Sequence, residues 1–235
     1  MGDRQVSVEK HQRRRSFPAL LPEQLSLLSE NYQIRRVEQD RVAGFPANAF
    51  LFLPRDNLRY THKLWAHTDS GLLLKAAVLD FRGQVVEQYA FTQLTIGGNI
   101  DRKWITPNKS VSYHSHHPYA ASPPSPPGTE KHTVHESGWQ VDLLPPGFKK
   151  TLEISRPLRG KQAPVTHLIF SDGLAGISVF IEDIISKPDV RIGLSSKGVL
   201  QVYSKVIGHN LITVVGEVPP RTVMQVADSA RYRGR

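Results

Sequence analysis

His114, His116, His117, His132 and His135 form the densest gathering of metal-ligating side chains in the sequence. Imidazoles so close together suit Zn or Cu. A metal site also needs neighbours that fix each ring, and these histidines lie in a Ser- and Pro-rich stretch with no scaffold to supply them. No metal and no cofactor is therefore expected. His132-Thr133-Val134-His135-Glu136 fails as a metalloprotease helix, because HExxH chemistry needs two His one helical turn apart with the Glu beside the first. No GxSxG elbow occurs, and Ser171-Asp172-Gly173 reads as the turn between two strands. Neither GxxxxGK[ST] nor GxGxxG is present, and Gly97-Gly98 opens no helical pattern. No catalytic residue emerges, so the chain is not read as an enzyme.

The remaining chemical cluster is Arg13-Arg14-Arg15 after Lys10 and His11. A nucleic-acid surface would add exposed aromatics or a reading module, and neither is found, so no nucleic acid is expected as partner. The net charge of +9 is spread along the chain: +4 over residues 1–106, zero over 107–138 and +5 over 139–235. Cysteine is absent, which excludes disulfides, thiolate metal sites and a Cys nucleophile. No run approaches the roughly 18 apolar residues of a membrane span, and MGDRQVSVEK lacks the apolar core of a signal peptide.

The elements that must carry any site are mostly strands. Gln5–Glu9 alternates like a strand, and Pro22–Asn31 reads as a short helix with Pro at its first turn and Leu25 and Leu28 on one side. Strands are predicted at Tyr32–Glu38, Arg41–Leu53, Arg59–His67, Leu72–Leu79 and Val85–Ile96, an antiparallel meander punctuated by Asp69-Ser70-Gly71 and Arg82-Gly83-Gln84. Tyr89 and Phe91 fall on one face of the last of these. Residues 107–137 change character around Pro123-Pro124-Ser125-Pro126-Pro127 and read as a linker. Beyond it, strands are predicted at Thr151–Arg156, Val165–Ser171, Gly176–Ile184, Leu200–Val206 and Leu211–Val218. A helix then starts at Pro219-Pro220 with Val223, Val226, Ala227 and Ala230 along one face. The class is α+β, mainly β, with a sheet domain at 1–106 and a smaller α+β domain at 138–235.

Longer phrases carry a resemblance. RRRSFPALLP from Arg13 and DRVAGFPANAFLFLPRDNLRY from Asp40 come first, followed by KLWAHTDSGLLLKAAVLDFRGQVVEQYAFTQLTIG from Lys63. GWQVDLLPPGF from Gly138, HLIFSDGLAGISVFIE from His167 and VVGEVPPRTVMQVADS from Val214 follow in the same order. Together they resemble the MucB/RseB family of periplasmic sigma-E factor regulatory proteins. The resemblance implies an incomplete LolA-like half-barrel as the N-terminal domain, with its first strands and the family's signal peptide missing, so that the chain reads as N-terminally truncated.

It also implies a function. Members bind the periplasmic segment of a single-pass anti-sigma factor, shield it from proteolysis, and release it when lipid or lipopolysaccharide fragments bind. On that footing Tyr203, Lys205 and Arg221 are the expected partner-binding residues, aromatic and basic groups suited to a flexible, partly acidic segment. Trp65, Leu72, Leu74, Tyr89 and Phe91 are the expected lipid-binding lining of the first sheet. A homo-oligomer is compatible with this reading. The alternative is a periplasmic lipid or lipoprotein carrier related to LolA.

Overall fold

The structure is a computed structural model that describes residues 25–99, 101, 133–134, 136–156, 163–184 and 190–234. The expected strand at 5–9, Arg13, Arg14 and Arg15, and His114, His116, His117, His132 and His135 lie outside the described residues. The architecture is mainly β, in the α+β class predicted.

Helix α1 (Leu25–Asn31) runs directly into the first sheet, whose strands β1 (Tyr32–Val42), β2 (Phe45–Pro54), β3 (Thr61–His67), β4 (Leu73–Leu79) and β5 (Val85–Ala90) lie in chain order. Every neighbouring pair is antiparallel. Two departures from the sequence reading have clear causes. The predicted break after Glu38 is absent: β1 continues to Val42, because polar Gln39 and Asp40 occupy an exposed outer strand where polarity does not end pairing. The chain reverses instead at Ala43-Gly44, both with positive φ (50° and 84°), as a two-residue hairpin requires. The predicted strand to Ile96 stops at Ala90, since Phe91, Leu94 and Ile96 are spaced to fold back onto the sheet rather than to alternate along it.

One face of this sheet buries Val42, Ala47, Ala49, Trp65, Leu74 and Ala77 beneath that returning segment. The other face buries Leu28 of α1 with Tyr32, Phe52 and Leu64. Both faces are thus covered, at least in part, which explains the apolar character of alternate positions on either side.

The second sheet has seven strands in the order β11-β12-β13-β10-β9-β8-β6. They are β6 (Thr133–Val134), β8 (Lys149–Arg156), β9 (Val165–Ser171), β10 (Gly176–Asp183), β11 (Gly193–Lys197), β12 (Leu200–Ile207) and β13 (Asn210–Gly216). β7 (Trp139–Val141) pairs separately with β14 (Ala230–Tyr232). Helix α2 (Pro220–Asp228) covers the sheet, burying Val223, Val226 and Ala227 against Val179, Ile212 and Val214. The predicted helical stripe ran on to Ala230. Ser229 closes the helix through its N–H on Gln225 O, and Ala230 reaches the same core from β14.

Candidate functional site

The two sheets meet at a buried polar knot. Arg59, in the connection from β2 to β3, has no exposed side-chain surface, nor does Asp172 in the β9–β10 turn. Arg59 Nε donates to Asp172 Oδ2 at 2.7 Å, and the Tyr32 hydroxyl donates to the same oxygen at 2.8 Å. The other carboxylate oxygen accepts from the backbone N–H groups of Leu174 and Ala175 at 2.9 and 2.6 Å. Arg59 also donates to Asp56 and to the Pro146 carbonyl, and its guanidinium sits 5.6 Å from the Tyr32 ring centroid and 5.2 Å from that of Phe148. Burial, reinforced by the Asp172 charge, pushes the Tyr32 phenol far above its usual pKa, so it stays a donor.

Contacts around the knot extend the seam. Leu174 packs into the apolar cluster of Leu28, Tyr32, Phe52 and Leu64. Thr222 Oγ1, in the first turn of α2, donates to Leu58 O at 2.8 Å. Gly147 holds φ at +79°, and a Cβ there would overlap the Asn31 side-chain amide. Glycine is required twice over, for the dihedral and for the close approach.

The expected partner-binding residues fall on β12 and α2 of the second unit. Tyr203 and Lys205 share the α2-covered face of β12; Tyr203 is half-buried against the second core, and Lys205 Nζ lies 2.6 Å from Asp228 Oδ1 at the far end of α2. Arg221 is exposed in the first turn of the same helix, next to the seam. The structure therefore places Tyr203 and Lys205 together and sets Arg221 toward the other end of α2. An open groove of about 570 Å³ lies nearby, lined by Trp139, Ile207, Gly208, Asn210, Arg231 and Tyr232.

The expected lipid lining divides. Trp65, Leu74 and Phe91 converge in one cluster, with the ammonium groups of Lys63 and Lys75 4.8 and 4.3 Å from the Trp65 ring centroid. Leu72 is in the β3–β4 turn and half-exposed. Tyr89 is exposed near the end of β5, paired to Ala76 on the face that holds the α1 cluster; its hydrogen bond to Glu87, helped by burial, pushes its pKa up to about 12. Phe91 lies past the strand end, so it does not share a face with Tyr89 as the uninterrupted alternation had suggested.

Arg59, Asp172 and Tyr32 escaped the sequence reading. Asp172 is a plain turn former by type, and it lies 113 residues from Arg59, so no local pattern links them. Trp139 and Tyr232, whose rings approach to 5.7 Å, sit on strands too short to register as strands.

A family model described as the MucB/RseB N-terminal domain matches residues 1–109, and one described as the MucB/RseB C-terminal domain matches residues 133–231. The chain is similar to the sigma factor AlgU regulatory protein MucB of Pseudomonas aeruginosa, with 36% identity over 210 residues. That match covers 88% of this chain and 62% of the relative, so the chain spans less than two thirds of that protein's length. A crystal structure of MucB in complex with MucA(peri) superposes with a TM-score of 0.74 at 32% identity, covering 91% of this chain and 72% of the other. A crystal structure of MucB superposes with a TM-score of 0.61 at 32% identity, covering 88% and 66%.

Proposed function

The chain belongs to the MucB/RseB family, and from that premise we propose that it binds the periplasmic segment of a membrane anti-sigma factor and so restrains an envelope-stress sigma factor. The observation that carries this reading is the likeness, along almost the whole chain, to a MucB solved with MucA(peri). Binding requires no reaction: the role is to shield a flexible segment from proteolysis in the periplasm. The proposed organisation is a sheet domain at 1–106, a connecting segment at 107–137 and a partner-binding domain from 138.

Tyr203, Lys205 and Arg221 are the proposed grip. Half-buried Tyr203, the partly buried Lys205 held by Asp228, and exposed Arg221 toward the other end of α2 offer an aromatic and two basic groups to an acidic, extended polypeptide, where aromatic and arginine side chains carry much of the binding energy. Co-purification of the chain with the periplasmic segment of the neighbouring anti-sigma factor tests the function. Lys205→Glu with Arg221→Glu should lower recovery of that segment. Unchanged recovery rejects the site, and no recovery by the unaltered chain rejects the function.

Release on binding lipid or lipopolysaccharide fragments is the finer part of the proposal. The proposed site is the buried cluster of Trp65, Leu74 and Phe91, which an acyl chain would reach by displacing the segment after β5, with Lys75 beside the indole to meet an anionic head group. A coupling of about 1–3 kcal/mol between the two ligands suffices for such a switch. Lipid fragments added to the complex should then reduce recovery of the partner segment.

A further inference from the structure

We infer that Arg59 and Asp172 are positioning residues for partner binding: their buried pair fixes the angle between the two sheets, and partner affinity depends on that angle. The inference rests on the proposed function for its second half and on geometry alone for its first.

Apolar contact across a seam is non-directional, so it holds two bodies together without setting how they are turned. The arginine fork adds direction. From one planar group, Arg59 reaches Asp172 in the β9–β10 turn and Pro146 O in the approach to β8, while Asp56 and the ring of Tyr32 hold it from its own side. Two separate segments of the second unit are therefore fixed by a group whose own plane is fixed by the first. Asp172 has both oxygens occupied, one by backbone of its own turn and one by Tyr32 and Arg59. The sheets cannot turn against each other without stripping a buried charge of its partners, the situation in which a buried pair resists most strongly.

Two further bonds cross the seam close to the proposed grip. Thr222, adjacent to Arg221, is tied to Leu58 O, which lies next to Arg59 in the chain. Gln201, two residues before Tyr203, reaches Tyr60 OH at 3.4 Å on the other side of Arg59. The segment that carries the knot is thus the segment against which α2 and β12 are set. The chain also superposes better on the MucB–MucA(peri) complex than on the MucB structure, a difference between those structures at equal sequence identity.

The absence of cysteine from the chain makes the test direct. Asp69→Cys and Met224→Cys, exposed on the first sheet and on α2, carry two spin labels whose separation is measured by pulsed electron resonance. In parallel, affinity is measured for MucA(peri) as the probe. The labelled parent should give one narrow distance distribution, and Arg59→Met should broaden or shift it and weaken MucA(peri) binding by about tenfold. Arg59→Lys keeps the charge but loses the fork; it should broaden the distribution too, and it carries the test if Arg59→Met does not fold. An unaltered distribution in the variants overturns the lock. A broadened distribution with unaltered affinity overturns the link to binding. Failure of the unlabelled parent to bind MucA(peri) rejects the partner reading instead, while the distance measurement still decides whether Arg59 sets the angle.

Discussion

Glu153 on β8 illustrates how a single carboxylate is made to depend on its neighbours. It is buried, and burial alone would raise its pKa; hydrogen bonds donated by Lys150 Nζ and by the Ser137 N–H, each at 2.6 Å, outweigh that and hold it below the ordinary value of 4.5. A carboxyl depressed by folding adds stability that is fully present above its unfolded pKa and is lost as pH falls through the folded one. Urea unfolding between about pH 5 and about pH 3 should therefore show a steeper loss of stability in the parent than in Glu153→Gln. Equal slopes would mean that these bonds do not persist in solution. Nothing in the sequence marked this residue, because Ser137 lies 16 positions away and meets it only through the path of the chain into β7.

Among the elements, the β1–β2 hairpin is the one whose turn is least suited to its residues. Ala43 is the sole non-glycine among the described residues with positive φ, a conformation that costs an L-residue with a Cβ about 1–2 kcal/mol and that Asn tolerates better. Ala43→Asn should raise the midpoint of thermal unfolding by stabilising the hairpin, and a lowered midpoint would contradict this account of the turn. The same hairpin marks where element reading succeeded and failed. The second strand was legible from its apolar run but was read as Arg41–Leu53, straight through Ala43-Gly44, because Ala carries no turn signal; it spans Phe45–Pro54. β11 was missed for a related reason: all five of its residues are exposed, so it has no apolar periodicity to read. α2 was legible from Pro220 and the spacing of Val223, Val226 and Ala227, since those apolar side chains face the core.

For the molecule as a whole, the two sheets should melt as one unit. Leu174 packed against the first unit's cluster, the Arg59–Asp172 pair and the Thr222–Leu58 bond all cross the seam, so neither unit unfolds without exposing part of the other. Calorimetry of the chain should give a single cooperative transition, and Arg59→Met should separate it into two. A parent that already melts in two steps would deny the coupling. The class, the place of most strands and the meander of the first sheet could be read from strand-like runs and turn residues, and the family from long ordered phrases, whereas the strand order of the second sheet was not read. The seam could not, because its members are unremarkable one by one and only the topology brings them within bonding distance.

One feature of the outermost described strand bears on how the protein behaves in a crowded compartment. β1 is long and exposed along nearly all its length, the shape that invites neighbouring molecules to add strands. Its register slips between Arg36 and Glu38, leaving Val37 as an extra residue that bends the ladder, and Arg35, Arg36 and Arg41 stud the same stretch. Among the described residues β1 is therefore a bent rather than a flat outer strand, the form least suited to adding a further strand.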